Sequence, residues 1–175
     1  MTTFCRFFLC LLVAAAPMGV LAADLGGETD VIILDPLGLI KASDIDFGAV
    51  ALGSGGEGGT ITLNGETSEV TVTGGLTAMG GTPAAGLFHG RGANNFVAVL
   101  NVQRNITLTR ENASDTLTFA TRINSDWTPW FGNLYLDIFP GSGLLDIEIG
   151  GTLTVPDDAP EGVYKADFTV VLNYF

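Results

Sequence analysis

Beyond residue 22 apolar and polar residues alternate along this chain, and no segment keeps a helical period. The stretch after Leu144 is the plainest case: Leu145, Ile147, Ile149, Gly151, Leu153 and Val155 fall on one face, with Asp146, Glu148, Thr152 and Thr154 on the other. A period of two with one apolar face is a half-buried β-strand. The same rule covers Val70 and Val72, Ile106 and Leu108, and Leu117, Phe119 and Ile123, and it predicts a further strand through Leu134, Leu136 and Ile138. Turn residues separate these runs at residues 53–59, at Asn64-Gly65, Gly74-Gly75, Gly80-Gly81 and Pro140-Gly141, and at 156–162. Short strands at such spacing predict an all-β fold, a single β-sandwich of immunoglobulin-like architecture.

The N-terminus breaks the pattern. Arg6 precedes an apolar stretch, residues 7–16, which Pro17 and Gly19 relieve before Val20-Leu21-Ala22. This is the layout of a secretory signal peptide cleaved after Ala22, and the stretch is shorter than the ~20 residues of a spanning helix. The expected organisation is a signal peptide at 1–22, a mobile polar segment at 23–30 and a β-sandwich domain at 31–175, with no membrane span after cleavage. Residues 31–40 read as a first strand interrupted at Pro36, a place for an edge strand or one that changes sheets.

Charge and cysteine content narrow the function. The chain has 19 acidic and 7 basic residues, a net charge of −12, and loss of Arg6 with the signal peptide makes it −13. Such a field repels nucleic acid and anionic membrane surfaces. Cys5 and Cys10 both lie in the segment expected to be removed, so packing and strand pairing alone must hold the exported domain.

Candidate chemistry is sparse. Gly53, Gly55 and Gly58 have the spacing of a dinucleotide loop, but the strand-like Thr60-Ile61-Thr62-Leu63 follows where a helix is required, so a hairpin loop is expected. Without cysteine in the exported part, and with His89 as sole histidine, neither a nucleophilic triad nor a zinc site is supported, and His89 reads as a loop residue. Asp44 and Asp46 would share a strand face and Asp157-Asp158 a loop, so a hydrolase using two carboxylates stays open, as does calcium at Asp157, Asp158 and Glu161. Nothing selects a pair. No catalytic, cofactor or metal residue is therefore assigned. Trp127, Trp130 and Phe131 form one aromatic cluster, either a binding platform for sugar or protein or a plug for one end of the sandwich.

The last segment carries the most information. Tyr164, Ala166, Phe168, Val170, Leu172 and Tyr174 can all face a core, while Lys165, Asp167, Thr169 and Asn173 point away. A long regular strand at a terminus needs a neighbour on each edge, and a strand from another chain supplies one. Gly162 is fourteenth from the end and Tyr174 is penultimate, a pattern that resembles chaperone-usher fimbrial subunits. Residues 43–48 (Ser-Asp-Ile-Asp-Phe-Gly), 80–84 (Gly-Gly-Thr-Pro-Ala) and 159–164 (Ala-Pro-Glu-Gly-Val-Tyr) resemble landmarks of a family of bacterial secreted domains of unknown function, the DUF4402 type. That family in turn looks related to spore coat protein U and Mat/Ecp fimbrial subunits.

The resemblance implies export through the periplasm to the cell surface and a non-enzymatic, fimbrial-type subunit completed by a donor strand. It implies a periplasmic chaperone, an usher and like subunits as partners, and a contact strand made of Gly162, Tyr164, Ala166, Phe168, Val170, Leu172 and Tyr174. One feature departs from that pattern: residues 23–30 offer only Leu25 where a donor segment would alternate, unless Val31, Ile33 and Leu37 serve. A non-catalytic binding module with a complete sandwich stays open beside it.

Overall fold

The computed structural model describes residues 34–53 and 55–175. The predicted signal peptide, its cleavage site, residues 23–30 and Val31 to Ile33 lie outside the described residues. The described chain is all-β, with strands β1 (Gly38–Ser43), β2 (Ala49–Leu52), β3 (Gly59–Leu63), β4 (Val70–Gly74), β5 (Leu76–Gly80), β6 (Gly86–Arg91), β7 (Val97–Val102), β8 (Asn105–Arg110), β9 (Thr116–Ile123), β10 (Thr128–Pro129), β11 (Leu134–Ile138), β12 (Leu144–Val155), β13 (Tyr164–Lys165) and β14 (Val170–Tyr174). Pairing starts at Gly38, because Pro36 offers no N–H and restricts Asp35 before it.

The long β12 is the spine of the larger layer. Its first half pairs with β6, which pairs with β1, and its second half lies between β3 and β9. β4 continues beyond β3, while β8 and then β13 continue beyond β9. A second layer has the order β10-β11-β7-β14, and β2 with β5 makes a separate ribbon. All pairs are antiparallel. The sandwich expected from alternation and turn spacing is the architecture found.

The core has two parts because β12 serves two neighbourhoods. Leu145, Ile147 and Ile149 face Ala98, Leu100, Tyr135, Phe139 and Leu172 of the four-stranded layer. Leu153 and Val155 instead join Ile61, Leu76, Ile106, Leu117 and Phe119 in a second cluster, whose opposite side is covered in part by the β2–β5 ribbon. Ile45 and Phe168, both half-buried, pack against both clusters. Each buried Leu or Ile contributes about 1.5–3 kcal/mol, so the place where covering stops matters energetically.

Two expectations change. The glycine-rich 53–59 stretch is not a hairpin: β2 pairs with β5 and β3 with β4, so the stretch carries the chain from ribbon to main layer. In β11 the buried residue is Tyr135, whereas Leu134 and Leu136 are half-buried and Ile138 is exposed. The fully apolar row, Leu134, Leu136 and Ile138, faces outward, while Tyr135 turns inward on the face it shares with Asp137, so alternation alone points to the wrong face.

Candidate functional site

The predicted C-terminal strand does not run unbroken. Tyr164 and Lys165 pair with Arg110 and Thr109 of β8, the chain then leaves the main layer, and it joins β7 from Val170 onward. Residues 166–169 pair with no strand among the described residues. The alternation itself holds: Tyr164, Phe168, Val170 and Tyr174 are half-buried and Leu172 is buried, against exposed Lys165, Asp167, Thr169 and Asn173, though Ala166 is exposed too.

Where the chain changes sheets, an open groove of about 1010 Å3 lies between residues 44–52 on one wall and 159–168 on the other. Its floor is the second core cluster, in which Ile61, Ile106, Leu117, Phe119 and Leu153 are already buried, and the apolar surface it presents is that of half-buried Phe47, Val50, Leu52, Leu108, Tyr164 and Phe168. Phe47 stands edge to face on Phe119 at 5.1 Å. The wall at 44–48 holds one isolated bridge, Asp46 to Ala84, and residues 166–168 of the other wall pair with no strand among the described residues, whereas 49–52 and 164–165 are each laddered on one edge, to β5 and β8. An extended segment laid here would find apolar surface below and free backbone groups beside it.

The second wall is fixed locally. Tyr164 donates its hydroxyl proton to the Pro160 carbonyl at 2.8 Å, closing the turn. Gly162 has φ +155°, and a Cβ there would meet the Arg110 side chain at 2.6 Å. Arg110 in turn donates to Asp115 and, at 3.1 Å, to the Glu161 carbonyl, so Gly162 is the residue that lets the wall lie over the guanidinium stem.

The structure divides the predicted contact row. Gly162, Tyr164, Ala166 and Phe168 line the groove. Val170, Leu172 and Tyr174 belong instead to the first core cluster or pack on it. The outer edge of β14 is free among the described residues, since β14 ends its sheet. Tyr174 is a clasp: the Ala93 N–H donates to its hydroxyl at 2.5 Å, and the hydroxyl donates to the Asp35 carbonyl at 2.9 Å. Its ring also meets Phe96 and Phe139 edge to face.

The aromatic cluster separates as well. Trp127 is buried in the first core, so its inclusion in a binding patch is corrected: it is a plug. Trp130 and Phe131 are exposed, and Trp130 meets the exposed Phe175 at 5.4 Å. His89 is not a loop residue but sits within β6, opposite Asp146, with Nδ1 2.7 Å from that carboxylate. Asp44 pairs with Lys41, and Asp46 accepts the Gly48 N–H. Sequence reading missed the wall at 44–52; its signal was the spacing of Phe47, Val50 and Leu52, masked by the small residues between them.

A carboxylate surface lies apart from the groove. Burial, then repulsion from Glu66, Asp146 and Asp126, pushes the Glu148 carboxyl above its usual range. Burial also raises Asp137, against the lowering effect of the Ile138 N–H it accepts and with Asp126 adding to the rise. A carboxyl raised in the folded state favours folding while protonated, and that contribution is lost as pH rises through the raised value. Glu148→Gln is therefore expected to raise the melting temperature at neutral pH, with the gain vanishing by about pH 3, where carboxyls are protonated in both proteins. Melting curves of both proteins across that range check it.

The family model described as Domain of unknown function (DUF4402) matches residues 37–174. No curated protein and no solved structure matches the chain.

Proposed function

This chain belongs to the DUF4402 family of domains of unknown function, and on the geometry of its groove we propose that it is an exported structural subunit of fimbrial type that takes in a strand from another polypeptide. The observation that carries this reading is the open groove with half-buried apolar lining, whose walls at 44–48 and 166–168 hold main chain without a continuous ladder among the described residues and whose floor is core. A finished sandwich covers such a floor with a strand of its own; here the segment beside it, 166–169, crosses between sheets without strand pairing among the described residues. A strand inserted between the walls would cover the half-buried apolar lining over that floor and pair the backbone in one step. The partners that follow are those of surface assembly: a periplasmic chaperone that shields the groove, an usher, and neighbouring subunits.

Hydrogen exchange tests the proposal. In the isolated exported chain, amides of residues 166–169 should exchange fast, and in the assembled form they should be protected. Full protection in a monomer at high concentration would sink the reading.

A second reading, a non-catalytic binding face, rests on the outer surface of the small layer. The register places Thr128, Trp130, Leu134, Leu136, Ile138, Val97, Val99, Asn101, Val171, Asn173 and Phe175 on that face, without one charged side chain in a chain of net charge −12. Exposed aromatics beside amides suit a neutral ligand. Loss of ligand binding in Trp130→Ala, with the melting curve unchanged, would favour it.

A further inference from the structure

The charge pattern around the groove restricts what can fill it. Its walls carry Asp44, Asp46, Glu161 and Asp167 against two lysines, Lys41 and Lys165. Both lysines are already engaged: Lys41 lies 2.6 Å from Asp44, and Lys165 lies 2.5 Å from Glu111. Among the described residues, Asp46, Glu161 and Asp167 have no cationic partner. The groove therefore has an apolar floor and an acidic rim.

The chain's own N-terminal segment has the opposite of the chemistry this rim favours. Residues 23–37 contain Asp24, Glu28, Asp30 and Asp35 and no lysine or arginine. Laid in the groove of a second copy, it would bring those carboxylates toward Asp46, Glu161 and Asp167. Salt screens charges over about 8 Å under physiological conditions, so the overall charge of the two copies matters less than this local rim.

Resting on the strand-accepting reading above, we infer that the segment filling the groove comes from a different polypeptide, apolar at every second position and carrying lysine or arginine between, rather than from residues 23–37 of another copy. The apolar positions settle onto half-buried Phe47, Leu108 and Phe168, and the cations meet the rim. Each exposed ion pair changes affinity a few-fold at most, so three together give on the order of tenfold.

Synthetic fifteen-residue peptides test this with the exported chain. Three share one alternating apolar face and carry Lys, Ser or Glu between, and a fourth is residues 23–37. Binding is read by anisotropy, and exchange at 166–169 reports whether the peptide lies in the groove. The Lys peptide should bind roughly tenfold tighter than the Ser peptide, and the Glu peptide and residues 23–37 more weakly than either, with the differences shrinking in 1 M salt. The double variant Glu161→Lys, Asp167→Lys changes two exposed side chains and should invert the order. Equal binding of the Lys and Glu peptides, or tightest binding by residues 23–37, overturns the inference while leaving strand uptake standing. No binding and no protection with any peptide overturns both.

Discussion

Gly151→Val is expected to leave no folded protein. Gly151 has φ +141°, and a Cβ there would lie 2.1 Å from the Ala120 carbonyl oxygen and 2.7 Å from the Phe119 ring. The obstacle is the main chain of β9, paired with β12 on one side and β8 on the other, so it cannot yield as a side chain would. Gly150 is as crowded, its Cβ position 2.3 Å from the Leu63 carbonyl oxygen. These two glycines sit where β12 passes from β6 to β3, and so from the first core cluster to the second. A β-branched residue at positive φ in collision with backbone costs more than about 4 kcal/mol, against the roughly 5–15 kcal/mol that holds a typical domain together. The variant should lose its cooperative melting transition and be degraded in the cell. A transition within a few degrees of the parent would refute this account of β12. Because Leu153 and Phe119 are floor residues of the groove, the same pivot also sets the site's shape.

Strands were legible wherever one face was apolar and the other polar. All six odd positions from Leu145 to Val155 are buried, as alternation requires. Legibility failed where the apolar row is the outer one, as in β11, whose inward face carries Tyr135 and Asp137, and where a strand is too short for a period, as in β2. It failed in a third way at the C-terminus. Alternation fixes which side chains point inward but says nothing about which sheet provides the neighbour. The row from Tyr164 to Tyr174 therefore looked like one strand, although its backbone is paired at the two ends with different layers and unpaired between. That break opens the groove. It depends on where β8 and β7 stand in space, a long-range property that residues 164–174 do not encode locally. The aromatic cluster shows the same limit: Trp127 and Trp130 are three residues apart, and only the placement of β10 at a sheet edge makes the first core and the second surface.

Tyr174→Phe should separate stability from assembly. The substitution keeps the ring against Phe96 and Phe139 and removes only the hydroxyl, which accepts from Ala93 and donates to Asp35. A net hydrogen bond contributes about 1 kcal/mol, so two give about 2 kcal/mol, and the buried position of Ala93 makes replacement by water incomplete. For a domain of this size that lowers the melting temperature by roughly 4–8 °C. Strand uptake should be untouched, since Tyr174 does not line the groove and its hydroxyl is already satisfied within the chain. Phe168→Ala is the counterpart, because Phe168 lines the groove and also touches both core clusters. It should lower both the melting temperature and the affinity for an inserted strand. A Tyr174→Phe variant that melts with the parent would remove the clasp from the account. If that variant also lost assembly, the hydroxyl would belong to a partner contact, and the contact row would extend along β14 to the end of the chain.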